Sequence, residues 1–155
     1  MSKRLEEIMA KADPVRLQAE AHDAVAIAQL MLTFLPELSE EYDSWIEPPE
    51  SDEFYIPVLP GMYNIVGLIV VPYLMVQLRR ETNEGALYRI FAFLEQLASD
   101  PDSRIGDVVG IEFMEYMLGW LVDMTPVWPY IGEHTRTMYE EMRDARKRDR
   151  DRNFL

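Results

Sequence analysis

Apolar residues recur along this chain at helical spacing, with no defensible run of the alternation that marks a strand. Residues 14–35 place Val15, Ala19, Ala21, Val25, Ala28, Leu32 and Leu35 near one face of a 3.6-residue helix. Residues 83–98 give a one-sided stripe of Leu87, Ile90, Phe91, Leu94, Leu97 and Ala98. Between residues 104 and 122, Ile105, Val109, Phe113, Tyr116, Met117 and Trp120 fill a broad arc, while Ile111, Met114 and Leu118 form a second strip. A helix apolar on two sides is normally packed between layers. Residues 62–80 are apolar nearly all round, and Pro72 predicts a kink because its ring removes a donor and crowds the preceding turn. The core is therefore expected around the helices at 62–80 and 104–122, with the others laid over them.

Punctuation supplies the remaining elements. A first helix over residues 3–12 should stop at Asp13-Pro14, an N-cap followed by proline at the first helical position. Pro36 interrupts the second helix, and residues 37–46 predict a short acidic one with Leu38, Tyr42 and Trp45 on one side. Residues 47–60, with Pro48, Pro49, Pro57 and Pro60, read as a long irregular loop, of the kind that tends to be functional or mobile. Residues 99–103 form a turn, and Pro126 and Pro129 break the chain again. A last helix from about residue 130 runs into RDARKRDRDR, which mixes both signs and lacks large apolar residues, so residues 144–155 are expected to fray or lie solvated. The expected fold is all-α: one compact domain of about six helices, as a bundle or a short α-solenoid-like array.

Length and composition agree, since 155 residues, 48% of them hydrophobic, can bury one substantial core. Residues 61–78 contain no charge and approach the roughly 20 residues of a spanning helix. Asn64, Gly67, Pro72 and Gln77 within them favour a buried bundle helix instead. The segment MSKRLEEIMAKA has basic residues but no apolar run behind them, so no signal peptide is expected. The absence of cysteine excludes disulfides and thiol chemistry and suits a reducing, cytoplasmic setting.

Charge changes the picture more. The formal net charge is −13, and no Lys or Arg occurs between residues 17 and 78, where ten carboxylates fall. Eight of those lie between Glu37 and Glu53. A field of this sign repels nucleic acid and anionic membrane, which are held through phosphate contacts to Lys and Arg. It favours encounter with a basic protein. The candidate surface is thus Glu37, Glu40, Glu41, Tyr42, Asp43, Trp45, Glu47, Glu50, Asp52, Glu53, Phe54 and Tyr55, with carboxylates for steering and aromatics for anchoring. The plain alternative is a solvated face that keeps the protein soluble.

Catalytic candidates are few. Glu112 and Glu115 lie one turn apart, and a buried Glu112 would be a base or metal ligand. A carboxylate paired with Arg89 or Arg104, or bonded to a tyrosine hydroxyl, is the structural alternative. The two histidines, His22 and His134, have no paired ligand spacing, and no phosphate-binding or dinucleotide motif occurs. No catalytic residue, metal or cofactor is therefore expected.

Three stretches carry a family resemblance: VVPYLMVQL (70–78), IFAFLEQLASDPD (90–102) and DVVGIEFMEYM (107–117). Together they resemble small all-helical bacterial immunity proteins of polymorphic toxin systems, over the central third of the chain. The resemblance implies a cytoplasmic, non-enzymatic inhibitor that covers the cleft of a cognate, basic toxin. The alternative is a helical adaptor or assembly subunit, in one form homo-oligomeric, that uses the loop at 54–56 or an exposed helix face.

Overall fold

The helical spacing is realised in the computed structural model, which describes residues 19–46, 60–80, 83–120 and 123–153. The helix expected over residues 3–12 and the loop at 47–59 lie outside the described residues. Helix α1 spans Ala19–Phe34, a 3₁₀ turn covers Pro36–Leu38, and α2 follows as Ser39–Ile46. Helix α3 (62–78) is continuous but not uniform: Met62–Asn64, a π-helical stretch Ile65–Val70, then Val71–Leu78. Helix α4 is Glu84–Ala98. Helix α5 (103–120) repeats the device, with a π-helical stretch Val109–Met114 between Ser103–Val108 and Glu115–Trp120. Helix α6 is Glu133–Asn153. Among the described residues there is no strand, and the helices make one compact all-α domain around a single apolar cluster.

Helix α4 holds the middle. It packs against α1, α3, α5 and α6. Its Phe91 and Phe93 are both fully buried, although residues two apart project to opposite sides of a helix. Phe93 meets Phe34 of α1 at 6.4 Å between ring centroids, while Phe91 meets Phe113 of α5 edge-on at 5.7 Å. The expected one-sided stripe is present and is extended by Phe93 at its edge, while Tyr88, Ala92 and Gln96 on the opposite face stay exposed, and α4 joins α3 and α5 at the centre. In α5 the second apolar strip divides: Met114 is buried, but Ile111 is 48% exposed.

Where α3 was expected to kink, its turns widen. Val71 N–H donates to Val66 O, a five-residue step, just ahead of Pro72. The proline ring would press on the Leu68 carbonyl in a regular helix, and the wider turn relieves it. The two π-helical stretches pack against each other. Gly67 permits this approach, because a Cβ there would strike the Glu112 carboxylate.

The N-terminus of α6 is closed by a side chain from another helix. Glu95 of α4 accepts from His134 N (2.8 Å), Thr135 N (3.0 Å), the Thr135 hydroxyl and His134 Nδ1 (2.8 Å). A carboxylate at a helix N-terminus satisfies orphan donors and meets the positive end of the dipole. Partial burial pushes the Glu95 carboxyl up, but the bonds from Thr135 and His134 prevail and hold it down to about 2. Gly132 passes so close that a Cβ would overlap the Glu95 carboxyl carbon. Helix α6 then continues through the charged segment to Asn153, with residues 146–151 exposed to solvent. Opposite charges three residues apart, Asp144 with Lys147, Arg146 with Asp149 and Arg148 with Asp151, favour the helix there, against like charges four apart such as Arg146 and Arg150.

This cap yields a coupled prediction. Glu95→Gln and Gly132→Ala should each cost about 1–3 kcal/mol at neutral pH in urea unfolding, the range for charge-assisted hydrogen bonds. The double variant should lose little more than the worse single one, because both break the same cap. A carboxyl lowered from 4.5 to about 2 stabilises the fold above pH 4.5 and loses that effect as pH falls toward 2. The gap between wild type and Glu95→Gln should narrow across that window.

Candidate functional site

The 3₁₀ turn and α2 bring the acidic segment against α3. Leu38, Tyr42 and Ile46 repeat at four-residue steps and are buried, fastening the segment to the core. Tyr42 is only 1% exposed, so the structure removes it from the candidate partner surface. Its burial, with the charge of Asp43, pushes the phenol up to about 12. Glu40 and Glu41 sit in the first turn of α2 and face solvent, where the helix dipole favours their charge. Asp43 is half-buried; Trp45 is at the surface, its indole N–H donating to Glu41 Oε1 at 3.3 Å. Glu47, Glu50, Asp52, Glu53, Phe54 and Tyr55 lie outside the described residues.

Glu37 has a different role. Its Oε1 accepts from the Tyr73 hydroxyl (2.7 Å) and from Arg89 Nη2 (2.5 Å). Three elements meet there: the 3₁₀ turn, α3 and α4. Partial burial pushes the Glu37 carboxyl up, yet the Tyr73 and Arg89 bonds bring it below its usual value. Burial, then the bond to Glu37, pushes Tyr73 up to about 12. The pair is too exposed to add much stability, below about 1 kcal/mol for an ion pair of this kind. Its effect is positional, and it shows that the cation-free span is met in space by an arginine 52 residues away.

Beside this junction runs an open groove of about 950 Å³. Glu37, Glu40 and Glu41 form an acidic wall, and Arg80 and Arg89 contribute cations at the side of α4. The floor is the outward row of α3: Leu68 (49% exposed), Pro72 and Val76 (43% exposed). Nothing in the apolar periodicity marked this floor, because every face of residues 65–76 is apolar. A signal existed at the ends of the row: Asn64 and Arg80 continue the same four-residue spacing, and both are exposed.

The other candidates lie elsewhere. Glu112 packs on Gly67 at the α3–α5 contact, and Glu115 is exposed; neither lines the groove. The arginines offered as partners for Glu112 are bound elsewhere, Arg89 to Glu37 and Arg104 to Asp102 (2.6 Å) and Asp23 (3.2 Å). His134 is engaged by Glu95. Among the described residues, no three His, Asp or Glu side chains group as metal ligands. Nor is any helix of the described residues long and apolar enough to cross a membrane.

Comparison with known proteins gives one family. The family model described as "Domain of unknown function (DUF7674)" matches residues 28–147, which include α2 to α5, the groove and most of α6. No curated protein matches the chain. No solved structure matches it either.

Tyr73 reports on the junction. In Glu37→Gln the phenol loses an anionic neighbour, so its ionisation should move down from about 12 in an alkaline absorbance or NMR titration. The move should be partial, since burial is the largest cause. An unchanged titration would mean that the Glu37–Tyr73 bond does not form in solution.

Proposed function

We propose that this chain, which belongs to the DUF7674 family, is a protein-binding domain whose partner presents a basic surface. The observation that carries the reading is the groove, where exposed carboxylates stand beside exposed apolar side chains. Carboxylates raise the encounter rate with a basic protein, and apolar groups in a recess supply the binding energy once docked. Neither group is consumed by the fold: among the described residues no cation pairs with Glu40 or Glu41, and Leu68 and Val76 remain about half open to solvent.

An inhibitory role, as an immunity protein covering the cleft of a basic toxin, is the form of this proposal that fits the resemblance at residues 70–78, 90–102 and 107–117. A cytoplasmic setting belongs to the same proposal and rests on the lack of cysteine. The reading gives Glu112 and Glu115 no catalytic part. Glu112 serves the helix contact at Gly67, and Glu115 lies on the outer surface.

The test is kinetic. A Glu40→Lys, Glu41→Lys, Asp43→Lys variant should associate with the basic partner roughly tenfold or more slowly at low salt, with circular dichroism unchanged. Wild-type association should slow as salt rises, and the variant should lose that dependence. Full retention of rate and salt dependence would refute the acidic surface.

A further inference from the structure

The shape of the groove specifies more than a charge preference. Leu68, Pro72 and Val76 stand at four-residue steps, one above another along about 12 Å of α3. Single exposed apolar residues are ordinary on protein surfaces, but a row of three in a recess is not. The other faces of α3 are buried against α1, α2, α4 and α5, so this row is the part of the helix that has no neighbour among the described residues. A four-residue ridge of this kind is what a second helix packs against, its own side chains filling the spaces between the turns. An extended peptide has no edge to join, because the described residues contain no strand. A small molecule would be poorly enclosed in a channel open to solvent along one side.

Charge selects the kind of helix. The wall on the α2 side presents Glu40 and Glu41. On the α4 side, the Arg89 guanidinium is already bound to Glu37. Arg80 stands beyond the end of the row, at the α3–α4 connection, so the uncompensated negative charge that a docked helix meets lies on the α2 flank, at Glu40 and Glu41. We infer that the groove receives an amphipathic helix of the partner, its apolar ridge on Leu68, Pro72 and Val76 and its Lys or Arg residues turned toward Glu40 and Glu41. This inference rests on the protein-binding reading and gives it a partner class, a helix with an apolar stripe and a basic flank.

The experiment uses the full chain and two labelled synthetic peptides of about 18 residues, roughly five helical turns. One places leucines on a single helical face and lysines beside them. The other has the same composition shuffled, so that no apolar face forms. The first should bind about tenfold tighter or more, read by fluorescence anisotropy. Leu68→Asp and Val76→Asp should each remove about that factor, and the gentler Leu68→Ala and Val76→Ala variants should weaken binding in the same direction. Ile111→Asp, at an equally exposed position outside the groove, should leave it unchanged. Equal binding of the two peptides, both lost in Glu40→Lys/Glu41→Lys, would overturn the helical occupant while sparing the acidic surface. Indifference to the floor variants would overturn it as well. Failure of either peptide to bind, together with an unchanged association rate for the charge-reversed variant, would overturn both readings.

Discussion

The structure depends on the broad apolar arc of helix α4, on which Leu87, Ile90, Phe91, Phe93, Leu94 and Leu97 are buried while Tyr88, Ala92 and Gln96 on the opposite face stay exposed. Phe91 and Phe93 mark the two edges of that arc, and α1, α3, α5 and α6 pack along it. Its polar positions then serve the surrounding shell. Glu95 reaches the start of α6 and caps it, and Arg89 reaches the 3₁₀ turn and holds Glu37. The packing of one helix thereby fixes the placement of the last helix and of the acidic segment, which lie far apart in the sequence.

The groove follows from the same packing. Helix α3 lies between α2 and α4, and each neighbour covers one flank. Pro72 adds a constraint, since the turns ahead of it widen into a π-helical stretch that rests against its counterpart in α5. Gly67 lets the Glu112 side chain in at that contact. What remains uncovered among the described residues is the row from Asn64 to Val76, with Arg80 just beyond the helix end. The binding reading therefore depends on the same packing that closes the core.

Most of the helical framework was legible because its cues are local. Four-residue apolar spacing located α1, α4 and α5, and Pro36, Pro126 and Pro129 marked breaks. The acidic helix was legible too, but not which of its aromatics face inward: Leu38, Tyr42 and Ile46 share the buried row, while Trp45 turns to the surface. Features built from distant residues left no local trace. The cap of α6 joins residues about 40 positions apart, and the tie from Glu37 to Arg89 spans 52. The π-helical stretches reflect how α3 and α5 meet. The outward row of α3 was hidden because no polar face distinguishes it within residues 65–76. The terminal segment was legible as solvated, but how far helix α6 extends into it, to Asn153, was not, because no apolar periodicity marks a helix there.

The account stands or falls on where a partner rests. Amide hydrogen exchange of the full chain, alone and bound to a basic partner recovered from its source, answers that directly. Slowed exchange concentrated in α2 and along α3 from residue 64 to 78, with α1 and the far half of α6 unchanged, is the predicted pattern. Protection confined to α1 or to the charged half of α6, with α2 and α3 exchanging as in the free protein, would contradict it.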